Sequence, residues 1–124
     1  MPATNQDITH YKGDDGQIRI TAKDADGNAV DLTDATARWW MAKAVTSTGD
    51  NILIQKSTAD GGIVISEDSG FWILTIELLP EDTESLTPGK WYHELEVVDA
   101  AGDISTMTIG KFILKPTLIP DVLT

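Results

Sequence analysis

Apolar and polar residues alternate with a period of two along most of this chain, the pattern of strands with one buried face. Residues 71–79 show it best. Trp72, Leu74, Ile76 and Leu78 share one face, and Phe71, Ile73, Thr75 and Glu77 the other. The first set is the expected core face. In 17–23, Ile18, Ile20 and Ala22 alternate with Arg19, Thr21 and Lys23. In 90–99, Trp91, His93, Leu95 and Val97 oppose Tyr92, Glu94 and Glu96. Further strands are expected over 36–43, 52–57, 63–66 and 104–115, where Gly110 in mid-strand predicts a bulge or kink.

Turn residues punctuate these runs. Asp24-Ala25-Asp26-Gly27-Asn28, Gly61-Gly62, Pro88-Gly89 and Ala100-Ala101-Gly102-Asp103 each reverse or redirect the chain. Pro80 suits the first turn of a helix, and Glu81 and Asp82 suit its positive end, so one short helical turn is expected over 80–86. About seven or eight strands with a single helical turn before the penultimate strand predict an all-β, immunoglobulin-like antiparallel sandwich. The Cys…Trp…Cys spacing of antibody domains is absent, because the chain has no cysteine. One domain is expected over 1–116. Pro116 and Pro120 frame an extended tail, 117–124.

Trp39 and Trp40 are adjacent in a strand, so they point to opposite faces. One is expected in the core and the other on an outer surface. An exposed tryptophan is a natural anchor for a contact surface. Trp40 and Tyr92 are the candidates on the domain, and Leu118, Ile119, Val122 and Leu123 are the candidates on the apolar tail.

A chain of 124 residues, 41% hydrophobic and 23% charged, is expected to be one soluble globular domain. The absence of cysteine excludes disulfides, thiol chemistry and cysteine-ligated metals. A net charge of −11 repels phosphate backbones, so nucleic acid is excluded as a partner. No apolar run approaches the ~20 residues that cross a bilayer. The polar start Met1-Pro2-Ala3-Thr4-Asn5-Gln6-Asp7 shows no secretory signal, so folding in a cytoplasm is expected and no membrane partner is implied.

No catalytic constellation emerges. The histidines are His10 and His93, and no Gly-x-Ser-x-Gly elbow is present. His93 lies on an apolar strand face, where a hydrogen-bonded core histidine is the better reading than a base. The stretch Asp24–Asn28 hints at calcium, but Gly27 is fourth in the run where an EF-hand needs its glycine sixth. Asp14-Asp15-Gly16 fails similarly. Glu81, Asp82 and Glu84 are local to one helical turn and read as a solvated face. No phosphate or dinucleotide fingerprint occurs. No enzyme activity, cofactor or metal is expected.

Several segments carry a resemblance. Val30-Asp31-Leu32-Thr33-Asp34-Ala35-Thr36-Ala37-Arg38 is similar to a "DLTGaTAr" segment of small bacteriophage structural proteins. In those, a "G-x-I-x-L-x-L-x-x-x-D-T-x-x-L-x-P-G-x-Y" segment follows. Gly70, Leu74, Ile76, Leu78, Asp82-Thr83, Leu86 and Pro88-Gly89 stand in that order here, with Trp91 at the aromatic position. His93-Glu94-Leu95-Glu96-Val97-Val98-Asp99 with Gly102, then Gly110-Lys111-Phe112-Ile113-Leu114, are similar to "Y-E-L-x-V-x-D-x-x-G" and "G-x-F-x-V". The chain departs from the pattern at Asp34, where the family has glycine, and at Trp91, where it has tyrosine.

The resemblance spans about residues 8–116 and extends to the N-terminal immunoglobulin-like domain of phage baseplate upper proteins. It implies a non-enzymatic virion component of capsid, neck, tail or baseplate, assembled in the host cytoplasm. Its partners would be other phage structural proteins, within a homo-oligomer or a symmetric array on a larger particle. The alternative is a β-sandwich module that binds a carbohydrate or a receptor, for which Trp40 and Tyr92 would have to share an outer face.

Overall fold

The computed structural model describes residues 4–24, 26–43 and 51–116. Among these described residues nine strands and one helical turn follow in chain order. They are β1 (Thr4–Asn5), β2 (Ile8–Tyr11), β3 (Gly16–Thr21), β4 (Thr36–Ala42), β5 (Ile52–Ser57), β6 (Ile63–Asp68) and β7 (Phe71–Leu78). After these come α1 (Pro80–Thr83), β8 (Gly89–Val98) and β9 (Ile104–Lys115). The larger sheet runs β1-β9-β8-β4-β5, with β2 also on β9, and the smaller runs β3-β7-β6. Strands β3, β7 and β6 facing a sheet built on β9, β8, β4 and β5 give the order of an immunoglobulin-like sandwich. The tail 117–124, with Leu118, Ile119, Val122 and Leu123, lies outside the described residues.

The alternating faces close on one core. Ile18, Ile20, Leu74, Ile76, Leu78 and Ile63 come from the smaller sheet. Trp39, Met41, Leu95, Val97, Met107, Phe112 and Leu114 come from the larger. Trp39 is fully buried, the place that antibody domains give to their core tryptophan. Trp72 and Trp91 are half-buried against this core rather than inside it.

Strands β1 and β2 were not expected from the alternation. They are short and pair parallel with β9, at Thr4↔Thr108, Asn5↔Ile109 and Ile8↔Phe112 through Tyr11↔Lys115. Gly110 is not at a bulge. The register shift lies between Leu95 and Glu96 of β8, whose partners Thr108 and Thr106 skip Met107. Gly110 permits close approach instead, since a Cβ there would strike the carbonyl of Gln6.

The two departures from the resembled pattern have structural answers. Asp34 adopts the left-handed conformation, with φ 59°, which aspartate tolerates better than most residues. Trp91 donates its indole N–H to the Thr87 carbonyl at 3.3 Å, four residues upstream. That bond pins the corner into β8 as a tyrosine hydroxyl does at the corner of immunoglobulin-like sandwiches.

The helical turn is shorter than expected and is a structural tie, not a solvated face throughout. The Asp82 carboxylate accepts the Leu79 N–H at 2.7 Å and pairs with Lys56 Nζ at 2.7 Å. Thr83 is fully buried, and its hydroxyl oxygen accepts the Gly13 N–H at 2.9 Å. The turn therefore joins β5 and the β2–β3 loop to the core.

Candidate interface on the larger sheet

The outer face of the larger sheet follows from register. Arg38 and Trp40 of β4 project away from the core, because Trp39 and Met41 project into it. Trp40 lies opposite Glu94, Arg38 opposite Glu96, and Ala42 opposite Tyr92. Tyr92 lies opposite Lys111, and Glu94 opposite Ile109. Trp40 and Tyr92 are therefore diagonal neighbours on one outer face, a spacing that long and aromatic side chains bridge.

Trp40 is 37% exposed, Tyr92 39% and Ile109 44%. Trp40 is held in place from one side. The Arg38 guanidinium lies 5.7 Å from its ring centroid and is itself fixed by Glu96, with Nε to Oε1 at 2.8 Å. Such a preset aromatic loses little freedom on contact.

Ile109 was not among the residues that the sequence singled out. The signal was present but displaced. Met107 and Thr108 are consecutive and both buried, so the alternation changes phase within β9 and brings Ile109 outward.

Charge is unevenly spread. On this face the register places Arg38, Lys90, Lys111 and Lys115 with Glu94 and Glu96, so it lacks the acidic surplus of a chain of net charge −11. Many of the acidic residues lie instead in the connections between strands. The β3–β4 connection carries Asp24, Asp26, Asp31 and Asp34, and the β6–β7 and β8–β9 hairpins carry Asp68, Asp99 and Asp103.

Several of these aspartates build the turns they occupy. Asp24 Oδ1 accepts the N–H groups of Asp26 and Asn28, each at 2.9 Å. Asp99 Oδ1 accepts those of Ala101 and Asp103 at 3.0 and 2.9 Å. Asp31 accepts the Thr33 hydroxyl at 2.6 Å and its N–H at 2.9 Å, and the hydroxyl bond followed by the backbone bond holds its carboxyl below the usual value. Among the described residues no group of His, Asp and Glu is placed to hold a metal ion.

His93 lies on the other side of the same strand, 4% exposed. Its Nδ1 accepts the Trp39 indole N–H at 3.1 Å. Because the indole nitrogen can only donate, the proton of neutral His93 sits on Nε2, which donates to the Gln6 carbonyl. Burial lowers the pKa of His93 below 6.5, opposed by the Gln6 bond and by nearby Asp7.

No family model matches this chain, and no curated protein does. Among solved structures it is similar to one described as "Crystal structure of Dpr1 IG1 bound to DIP-eta IG1". The identity is 16% and the TM-score 0.42, over 93% of this chain and 91% of that one. The immunoglobulin-like assignment rests on this chain's own strand order and pairing.

Proposed function

We propose that this chain is a non-catalytic docking module, a structural component of a bacteriophage particle, and that it makes its contacts through the outer face of the larger sheet. The observation that carries the docking role is the exposed, preset Trp40 beside Tyr92 and Ile109, on a face that lacks the acidic surplus of the chain. Aromatic anchors of this kind dominate contact energies, and a face without the acidic surplus spares a partner the repulsion that a chain of this net charge would otherwise impose. The phage assignment is supported by the sequence segments around 30–38, 70–91 and 93–114.

The test is the mass of the purified chain by light scattering over a wide concentration range. A defined oligomer that Trp40→Glu reduces to a monomer, with an unchanged melting temperature, supports the reading. A wild-type monomer at every concentration, combined with no uptake by particles lacking the protein, overturns it.

A second reading, a carbohydrate- or receptor-binding module, is favoured by one observation: Trp40 and Tyr92 do share an outer face, beside Arg38 and Glu94. Saturable quenching of tryptophan fluorescence by an oligosaccharide, lost in Trp40→Ala, would replace the first reading with this one.

A further inference from the structure

The N-terminal segment meets the rest of the sandwich in an unusual way at Gln6 and Asp7. Strands β1 and β2 hold one parallel register against β9 but are interrupted between Asn5 and Ile8. Across the interruption the Gln6 N–H still donates to the Ile109 carbonyl at 2.8 Å. The next two ladder positions are filled by side chains. The Gln6 carbonyl accepts from His93 Nε2 at 2.6 Å, and the Lys111 N–H donates to Asp7 Oδ1 at 2.9 Å. The approach depends on Gly110, directly opposite His93, where any side chain would collide with Gln6.

We propose that His93 is a proton-operated latch that fastens the N-terminal strands to β9 when neutral and releases them when charged. Both ring nitrogens are committed in the neutral form. A second proton must go on Nδ1, where it meets the Trp39 N–H head-on and strips that buried donor of its acceptor. The imidazolium can then keep Gln6 only by leaving Trp39, or leave both for water.

The surroundings offer little to stabilise the charge. From β4 the ring faces Trp39 and Met41, and from β9 it lies over Gly110, with the buried Thr108 and Phe112 two residues to either side on the same face. From the N-terminal segment it meets one charged group, Asp7, and His10 lies beyond Phe112 at 6.1 Å between ring centroids. Lys111, Tyr92 and Glu94 project to the opposite face of the sheet. Opening water to the ring is easiest on the Gln6 side, because only these short edge strands cover it. Release leaves the N–H and C=O groups of β9 unpaired, a template for another strand.

The test is hydrogen exchange of the full chain, resolved by peptide, from pH 7.5 to 4.5 and corrected for the intrinsic chemical rate. Residues 4–12 and 108–115 are expected to lose at least tenfold in protection on acidification, while β3 and β7 keep theirs. In His93→Gln, whose amide can accept from Trp39 and donate to Gln6 without titrating, the protection is expected to be flat. In Asp7→Asn, which keeps an acceptor for Lys111 but removes the charge that favours the imidazolium, the transition is expected to move to lower pH. Equal loss in both sheets, or a wild-type profile in His93→Gln, overturns the latch. Should His93→Gln not fold, an unmoved or raised transition in Asp7→Asn overturns it.

Discussion

The two sheets meet the same demand for burial with different materials. The smaller sheet turns Ile18, Ile20, Ile63, Leu74, Ile76 and Leu78 inward, all of them aliphatic. The larger turns in Trp39, Phe112, Met41 and Leu95, together with His93 and Thr108. An aliphatic layer packs without directional bonds and is indifferent to pH. A layer containing indole and imidazole needs each polar atom matched, and it acquires pH dependence as a consequence. The smaller sheet is therefore the inert half, and the larger sheet carries both the latch and, on its other side, the contact face.

The harshest way to probe the contrast is to hollow out the inert half. Leu74 has no exposure and sits on the central strand of its sheet. Leu74→Ala should cost about 2–5 kcal/mol, from lost transfer energy and the cavity left behind. Chemical denaturation at neutral pH reads this as a lower midpoint with a similar slope. The loss should be the same at pH 5 as at pH 7.5, because no titrating group lines the site.

The next probe is pH itself, which should touch only the larger sheet. The folded pKa of His93 is lowered, while the unfolded chain keeps the ordinary value of about 6.5. Below about pH 6.5 the unfolded state therefore binds a proton that the folded state refuses. Stability is complete above that pH and falls as pH drops through the window between the two values, by up to about 1.4 kcal/mol per pH unit from this group. Urea titrations across the range should show this slope in the wild type and lose it in His93→Gln. An equal slope in both proteins would locate the sensitivity elsewhere.

A smaller effect is expected where the larger sheet receives β8. Trp91→Phe keeps the apolar ring against the core but removes the N–H that reaches the Thr87 carbonyl. A bond of this length at a half-exposed corner contributes on the order of 0.5–1 kcal/mol. A loss well above that would mean that the indole matters chiefly by packing, and Gly89, whose Cβ would crowd this ring at 3.2 Å, would be the residue to change next.

The sequence disclosed these elements unequally, for physical reasons. Strands β3, β7 and β8 were legible because each has one face on a shared core, which imposes strict alternation. Strands β1 and β2 were not, because they lie at an edge and gain their stability from backbone pairing with residues about a hundred positions away, which leaves little pattern in side chains. Trp40 and Tyr92 were legible from parity alone. Ile109 was hidden by the phase change at Met107, and Gly110, read as a kink, serves instead the approach of Gln6. His93 could be assigned to the core from its neighbours, but its two partners come from segments that no local pattern links.

The smallest expected change in stability carries the most about function. Trp39 and Trp40 are consecutive, yet the first is sealed between Phe112 and His93 while the second lies open beside Arg38. Trp40→Glu removes a partly exposed ring and one surface cation–π contact, so its stability should stay within about 0.5 kcal/mol of the wild type. It also places a carboxylate opposite Glu94 and beside the Arg38–Glu96 pair. That puts a carboxylate in the middle of the patch, and any partner whose surface fits the apolar ring would then meet a buried, unpaired charge, a penalty far larger than the lost contact. Melting curves that superimpose while association vanishes would separate the two tryptophans cleanly, one holding the fold and the other the contact. A stability that falls by several kcal/mol instead would mean that Trp40 belongs to the packing of its own sheet, and the contact face would have to be sought around Ile109.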